Sequence, residues 1–149
     1  MTRSAIALVL SLAACSTATT TPVDPLQALQ GRWKSSGSKV YYSDGTSVDQ
    51  VIACWSEFLG ERSITECRTS RGTQRMVRAN RALGSGSFES QIVADPSAPQ
   101  NVGRSSRIDY RIEGNTLTTT AHPAAPQNPT ARYPVKIEAT WLRELTPGR

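Results

Sequence analysis

Three cysteines are the residues of this 149-residue chain best suited to covalent chemistry. Cys15 ends an apolar segment, Ser4 to Ala14, which follows the single charge of Arg3. A segment of this kind is typical of a secretory signal and is well short of the roughly twenty apolar residues of a membrane-spanning helix. Because Cys15 belongs to this segment, Cys54 and Cys67 remain as an even pair. A secretory signal directs a protein to an oxidising compartment, where disulfides form.

The sequence Leu12-Ala13-Ala14-Cys15 resembles the lipobox of bacterial lipoproteins. The resemblance implies that residues 1–14 are removed as a signal peptide and that Cys15 is lipidated, with a diacylglycerol on sulfur and usually an acyl chain such as palmitate on the new N-terminus. Several acyl chains anchor a protein stably, whereas one chain binds a membrane only marginally. By the sorting rule of bacteria with two membranes, Ser16 in place of Asp favours the cell outer membrane. The alternative is an ordinary secretory signal with a buried cysteine.

Composition predicts one anchored domain without a nucleic-acid partner. Residues 15–25 are rich in Ser, Thr and Pro and predict a flexible tether, and residues 26–149 are long enough for one domain. The net charge of +5 comes mainly from arginine. Six arginines lie between Arg62 and Arg81, but no aromatic residue is interleaved with them as in a nucleic-acid-binding surface. We therefore expect these arginine side chains to face outward into solvent.

Turn-forming residues follow Gly31 at a spacing of about ten residues, with short β-biased stretches between them. This pattern predicts an all-β fold, either a sandwich or a barrel, in one antiparallel domain. The segment 74–81 is also compatible with a helix, because its arginines recur at helical spacing, but we favour a strand. About eight strands are expected, at 33–42, 50–59, 62–70, 74–81, 87–94, 105–113, 116–121 and 132–143.

Two hairpin registers follow from two-residue turns. A turn at Gly114-Asn115 places Ile112 opposite Leu117, so that apolar residues share one face. A turn at Gly60-Glu61 places Cys54 opposite Cys67, at a separation of about 4.5 Å between Cα atoms that a disulfide can span. We expect this disulfide to point into the domain and to stabilise it by about 3 kcal/mol. A redox-active pair is the alternative, but the Cys-x-x-Cys spacing is absent.

The sequence Gly31-Arg32-Trp33 resembles the Gly-x-Trp signature of lipocalins and the wider calycin group. In that group the tryptophan closes one end of an eight-stranded antiparallel barrel, and an arginine near the last strand packs over it. The matching arginine here is Arg143, on the apolar face of the last predicted strand, where an indole would compensate its charge through a cation–π contact. The resemblance implies a small lipocalin-like barrel closed by Trp33 and Arg143. The alternative is a β sandwich with Trp33 in its core.

No residue pattern predicts catalysis. His122, the only histidine, lies in a Pro-rich stretch that we interpret as a loop. A metal site needs several ligands, and a serine or cysteine nucleophile needs a nearby base. We therefore predict no enzyme activity, no catalytic or metal-binding residue and no cofactor.

Binding is the function class that these patterns favour. The long connections at 95–103 and 122–131 are of the kind that carries binding on a rigid scaffold. We expect an outer-membrane-anchored lipoprotein, facing the periplasm or exposed at the surface, whose barrel binds a small apolar ligand or an envelope partner. A scaffold of the protease- or lysozyme-inhibitor type and a purely structural envelope lipoprotein remain open alternatives.

Overall fold

A computed structural model describes residues 24–126 and 131–145. No helix in these ranges is long and apolar enough to cross a membrane. The signal peptide, Cys15, most of the tether and residues 127–130 lie outside the described residues. The strands are β1 (Gly31–Tyr42), β2 (Ser47–Gln50), β3 (Ala53–Leu59), β4 (Arg62–Thr69), β5 (Gly72–Gly84), β6 (Ser87–Ala94), β7 (Ser105–Glu113), β8 (Thr116–Pro123) and β9 (Pro134–Arg143).

Eight of these strands close into an antiparallel barrel. The strands β3 to β9 pair in chain order, and β1 pairs with both β3 and β9 to complete the ring. The short strand β2 lies outside this count and pairs with the second half of β1. The predicted all-β class and the small antiparallel barrel are therefore confirmed, and the sandwich alternative is wrong.

The single strand predicted at 50–59 is instead two strands separated by Val51 and Ile52. β1 is irregular between Ser35 and Gly37, and its two halves pair in different registers. Ser38 pairs with Gln50, whereas Lys34 pairs with Trp55, so the partner chain contains one residue more than β1 over this stretch. A continuous ladder would need equal lengths. The extra residue interrupts the strand, and Val51 is 94% exposed.

Both predicted hairpin registers are present. Ile112 pairs with Leu117, and Leu59 pairs with Arg62 across a turn whose first residue, Gly60, has a φ of 65°. Positive φ at that position alone is the pattern of a type II′ turn. Cys54 and Cys67 face each other with Cα atoms 4.1 Å apart and form the predicted disulfide.

The two ends of the barrel differ. At the end that we call the closed end, two-residue turns at 60–61, 85–86 and 114–115 join the strands, and a 3-10 turn (Gln27–Leu29) covers the interior. The opposite end, which we call the loop end, carries the longer connections at 43–46 and 95–104, the two-residue turn at 70–71, the end of β8 and the start of β9. The connection at 95–104 contacts the residue that follows β8, because the Arg104 guanidinium donates to the carbonyl of Ala124 at 3.5 Å.

The connection between β6 and β7 is held by one buried carboxylate. Asp95 accepts hydrogen bonds from the Ser97 hydroxyl at 2.7 Å, the Ala98 amide at 3.0 Å and the Asn101 side chain at 3.3 Å. Burial raises the pKa of Asp95, but these hydrogen bonds outweigh it and hold the pKa below the ordinary value. The long connection is therefore an ordered part of the loop end.

Candidate functional site

Trp33 and Arg143 form the core of the closed end. Trp33 has 0% exposure, and its indole N–H donates to the carbonyl of Leu29 at 2.8 Å. The guanidinium carbon of Arg143 lies 4.1 Å from the centroid of the Trp33 ring. Its two terminal nitrogens donate to the carbonyls of Gln30 and Ala28, each at 3.0 Å. The contact expected from the Gly-x-Trp resemblance is thus present in the structure, and Arg143 also holds the 3-10 turn over the barrel.

The backbone conformation at position 31 explains why the Gly-x-Trp sequence begins with glycine. Gly31 has a φ of 104°, which a residue with a side chain rarely adopts. This conformation turns the chain from the 3-10 turn into β1, so that Trp33 can enter the interior. A Cβ atom at position 31 would make only an ordinary contact, 3.7 Å from a guanidinium nitrogen of Arg143, so the backbone conformation is the reason for glycine. Gly31, Trp33 and Arg143 therefore belong to one structure that closes this end of the barrel.

A cavity of about 320 Å³ lies inside the barrel between the closed end and the loop end. Its floor is formed by Phe58, Phe88 and Leu117, which pack in the same cluster as Trp33. The disulfide between Cys54 and Cys67 lines its wall, as expected for cysteines that point inward. The interior of this barrel is hollow above an apolar floor.

The two sides of the cavity differ in polarity. On β7 to β9 the lining is mainly apolar, with Ile108, Leu117, Ala121, Ile137 and Ala139. On β3 to β6 it includes hydroxyl groups that are bonded to one another or to neighbours. Ser56 and Thr65 are 3.1 Å apart, and Ser90 donates to the buried Asn80 at 2.9 Å. The lining is therefore amphipathic, and the charged residue described next lies on its polar side.

Arg78 lines this cavity, which corrects the prediction that the arginines between Arg62 and Arg81 all face outward. Side chains alternate across a strand, so residues three apart point to opposite faces. Arg75 and Arg81 point outward, where they pair with Glu66 and Glu89, and Arg78 consequently points inward. The spacing of Arg75, Arg78 and Arg81 is also compatible with a helix, but in the favoured strand it places Arg78 on the face opposite to the other two.

The environment of Arg78 is unusual for a charged group. Burial lowers the pKa of its guanidinium, and the carboxylate of Asp95 raises it by a smaller amount. The backbone here is irregular as well: Val77 pairs with Ala94 and Arg78 with Ile92, so β6 contains one extra residue. Such bulges redirect side chains and are frequent next to functional sites. The site that sequence analysis missed is centred on this residue.

Trp55 and the single histidine of the sequence both lie on the outer surface. Trp55 donates its indole N–H to Glu144 at 3.0 Å, and the guanidinium of Arg68 lies 5.1 Å from its ring. His122 lies in β8 rather than in a loop, because β8 continues two residues beyond its predicted end; its ring nitrogen is 3.4 Å from Asp109. Among the residues that the structure describes, no three histidine, cysteine or acidic side chains are grouped to hold a metal ion.

No protein-family model matches the chain, and no curated protein matches it in sequence. The class that the fold defines is therefore a small, closed, eight-stranded antiparallel barrel, compatible with a lipocalin-like architecture.

Proposed function

We propose that this protein is an outer-membrane lipoprotein whose barrel binds a small, mainly apolar molecule in its interior. The observation that carries the proposal is the cavity of about 320 Å³ above the apolar floor. Small-molecule sites in proteins commonly measure about 300–1,000 Å³ and combine an apolar lining with a few polar groups. The lining of this cavity fits that description. A tightly filled interior would instead have favoured the scaffold alternatives.

One orientation of the barrel relative to the membrane is compatible with both the proposed lipid anchor and ligand entry into the cavity. The described chain begins at Asp24, beside the 3-10 turn at the closed end. A tether that leads back to a lipidated Cys15 would therefore leave the barrel from that end. The loop end would face away from the membrane, and a ligand would enter from the aqueous compartment rather than from the bilayer. The lipobox-like sequence supports the anchor, and the geometry of the closed end supports the orientation.

The proposed binding is tested by filling the cavity. Ala121 lines the cavity, so Ala121→Phe would place a ring in the ligand space, whereas Thr118→Phe on the exposed outer face of the same strand is the matched control. We expect wild type and Thr118→Phe to bind the neutral fluorescent probe N-phenylnaphthylamine and Ala121→Phe to bind it at least about tenfold more weakly. Equal binding by all three folded proteins, or no binding by wild type, would contradict the proposal.

A further inference from the structure

Among the described residues that line the cavity, Arg78 is the single charged side chain. The described residues form six ion pairs between lysine or arginine and a carboxylate, and Arg78 takes part in none of them. The acid whose charge acts on it, Asp95, has its carboxylate already engaged by Ser97, Ala98 and Asn101. The described part of the protein therefore supplies no direct counter-charge to this guanidinium.

A guanidinium in this position remains charged. Arginine is not deprotonated in proteins under ordinary conditions, so it cannot avoid the cost of burial by losing its proton. A charge removed from bulk water without a paired partner is unfavourable. The other interior polar groups of β4 to β6, such as Asn80 and Ser90, satisfy one another with hydrogen bonds. Arg78 differs from them because it lines the cavity and donates no hydrogen bond to a protein partner among the described residues.

The opposite wall determines what kind of anion fits. β7 to β9 present the apolar side chains of Ile108, Ala121 and Ile137 to the cavity, so a small inorganic anion would leave that surface uncovered. A molecule with an anionic head and an apolar body would cover both walls. A carboxylate suits the head, because it accepts two parallel hydrogen bonds from a guanidinium.

We infer that the ligand of this barrel is an amphipathic carboxylic acid, whose carboxylate pairs with Arg78 and whose apolar body packs against β7 to β9. This inference rests on the proposed function, because it assigns a chemical class to the ligand of the same cavity. It goes further in assigning one side chain to recognition of the head group and in predicting that charge, as well as apolarity, selects the ligand.

The first test needs only the wild-type protein. Decanoate, decanol and decylamine share one apolar chain and differ in the charge of the head group. Their affinities are measured by displacement of N-phenylnaphthylamine at neutral pH and constant salt. We expect decanoate to bind at least about tenfold more tightly than decanol, the order expected for a hydrogen bond to a charged group, and decylamine to bind most weakly.

The second test asks whether Arg78 causes the preference for decanoate over decanol. Arg78→Met removes the charge and keeps a long side chain, and Arg75→Met is the matched control on the outer face of the same strand. We expect Arg78→Met to lose the preference for decanoate over decanol while its affinity for decanol is kept, and Arg75→Met to behave as wild type. Arg78→Lys should retain part of the preference.

The possible results separate the two proposals. If wild type binds decanol and decanoate equally, or if Arg78→Met keeps the preference, the cavity is a ligand site but the inferred role of Arg78 is wrong. If wild type binds none of the three compounds and no neutral probe, the proposed function fails and the inference fails with it. The comparison of ligands on wild type gives an answer even if Arg78→Met does not fold.

Discussion

Arg78 is the residue at which stability and function are expected to conflict in this protein. A charged guanidinium that lines a largely apolar cavity without an ionic partner among the described residues is less favourable for the fold than an apolar side chain of similar length. Residues of this kind are commonly found where a site is arranged for its ligand rather than for stability. The outward arginines of the same strand are different, because Arg75 and Arg81 are exposed and pair with glutamates.

Arg78→Met is therefore predicted to stabilise the ligand-free protein by about 1 kcal/mol. The reason is that the substitution removes a partly buried charge that has no ionic partner among the described residues, and adds apolar surface inside the barrel. Thermal unfolding followed by circular dichroism measures the effect, with Arg75→Met as the control. A midpoint temperature for Arg78→Met below that of both wild type and the control would show that the guanidinium has a structural partner.

Asp95 gives a pH-dependent prediction. Its pKa in the folded protein lies below the ordinary value, so its contribution to stability is present above the unfolded-state pKa of about 4 and is lost as pH falls through the lower folded-state value. We expect Asp95→Asn to lower the free energy of unfolding by about 1–3 kcal/mol at pH 7, because a neutral amide offers one acceptor oxygen in place of a charged carboxylate with two. Urea unfolding at pH 7 and in acid measures the difference.

The difference between wild type and Asp95→Asn should shrink as the pH falls below about 4. Asp49→Asn, which replaces an exposed carboxylate on β2, is the control and should change the free energy of unfolding little. A difference that stays constant from neutral to acidic pH would contradict the assigned role of the ionised Asp95 carboxylate.

Among the elements, the hairpin of β3 and β4 is held by both its turn and its disulfide. Cys54 and Cys67 are separated by 13 positions in sequence, so the disulfide closes a short loop. Replacement of both cysteines by serine is predicted to lower the free energy of unfolding by about 3 kcal/mol, mainly through the greater freedom of the unfolded chain. Urea unfolding of the oxidised wild type, the reduced wild type and the double variant measures this. Equal stability of all three would contradict the prediction.

The sequence predicted those elements that local rules determine. Two-residue turns at Gly60 and Gly114 set the registers of two hairpins, because such turns leave one way for the strands to pair. The break at Val51 could not be predicted, because it depends on the pairing of β1 with strands on both sides. The same holds for the inward position of Arg78: it follows from strand alternation only once β5 is known to be a strand rather than a helix.

Some residues of the candidate site could be predicted from the sequence, but the volume of its cavity and the charge on its lining could not. The disulfide that lines it was predicted from the turn at Gly60, and the arginine over Trp33 was predicted from a resemblance and from the apolar face of β9. The volume of the cavity depends on how side chains from all eight barrel strands fill one space, and local sequence does not determine that. Composition alone treated Arg78 as one of six equivalent arginines, whereas its neighbours Ser63 and Ile92 on adjacent strands place it inside.

For the whole molecule, we propose a membrane anchor on a barrel whose loop end faces away from the membrane. Cys15→Ala removes the sulfur that would carry the lipid, and we expect the protein to leave the membrane fraction and to lose its acyl mass. Fractionation of cells together with intact-mass spectrometry of the purified protein measures both properties. An N-terminus at Met1 in the wild-type protein, or membrane attachment of the Cys15→Ala variant equal to wild type, would contradict the anchor.

The central claim, that the interior of the barrel is a ligand site, is tested most directly by a methyl NMR titration of the wild-type protein with decanoate. Ile108, Ile137 and Ala139 report on the cavity, and the exposed Leu59 and Leu142 report on the outer surface. The account predicts saturable shifts of the interior methyl groups at one ligand per protein, with the outer leucines unchanged. Shifts confined to Leu59 and Leu142, or no shifts at a large excess of ligand, would contradict it.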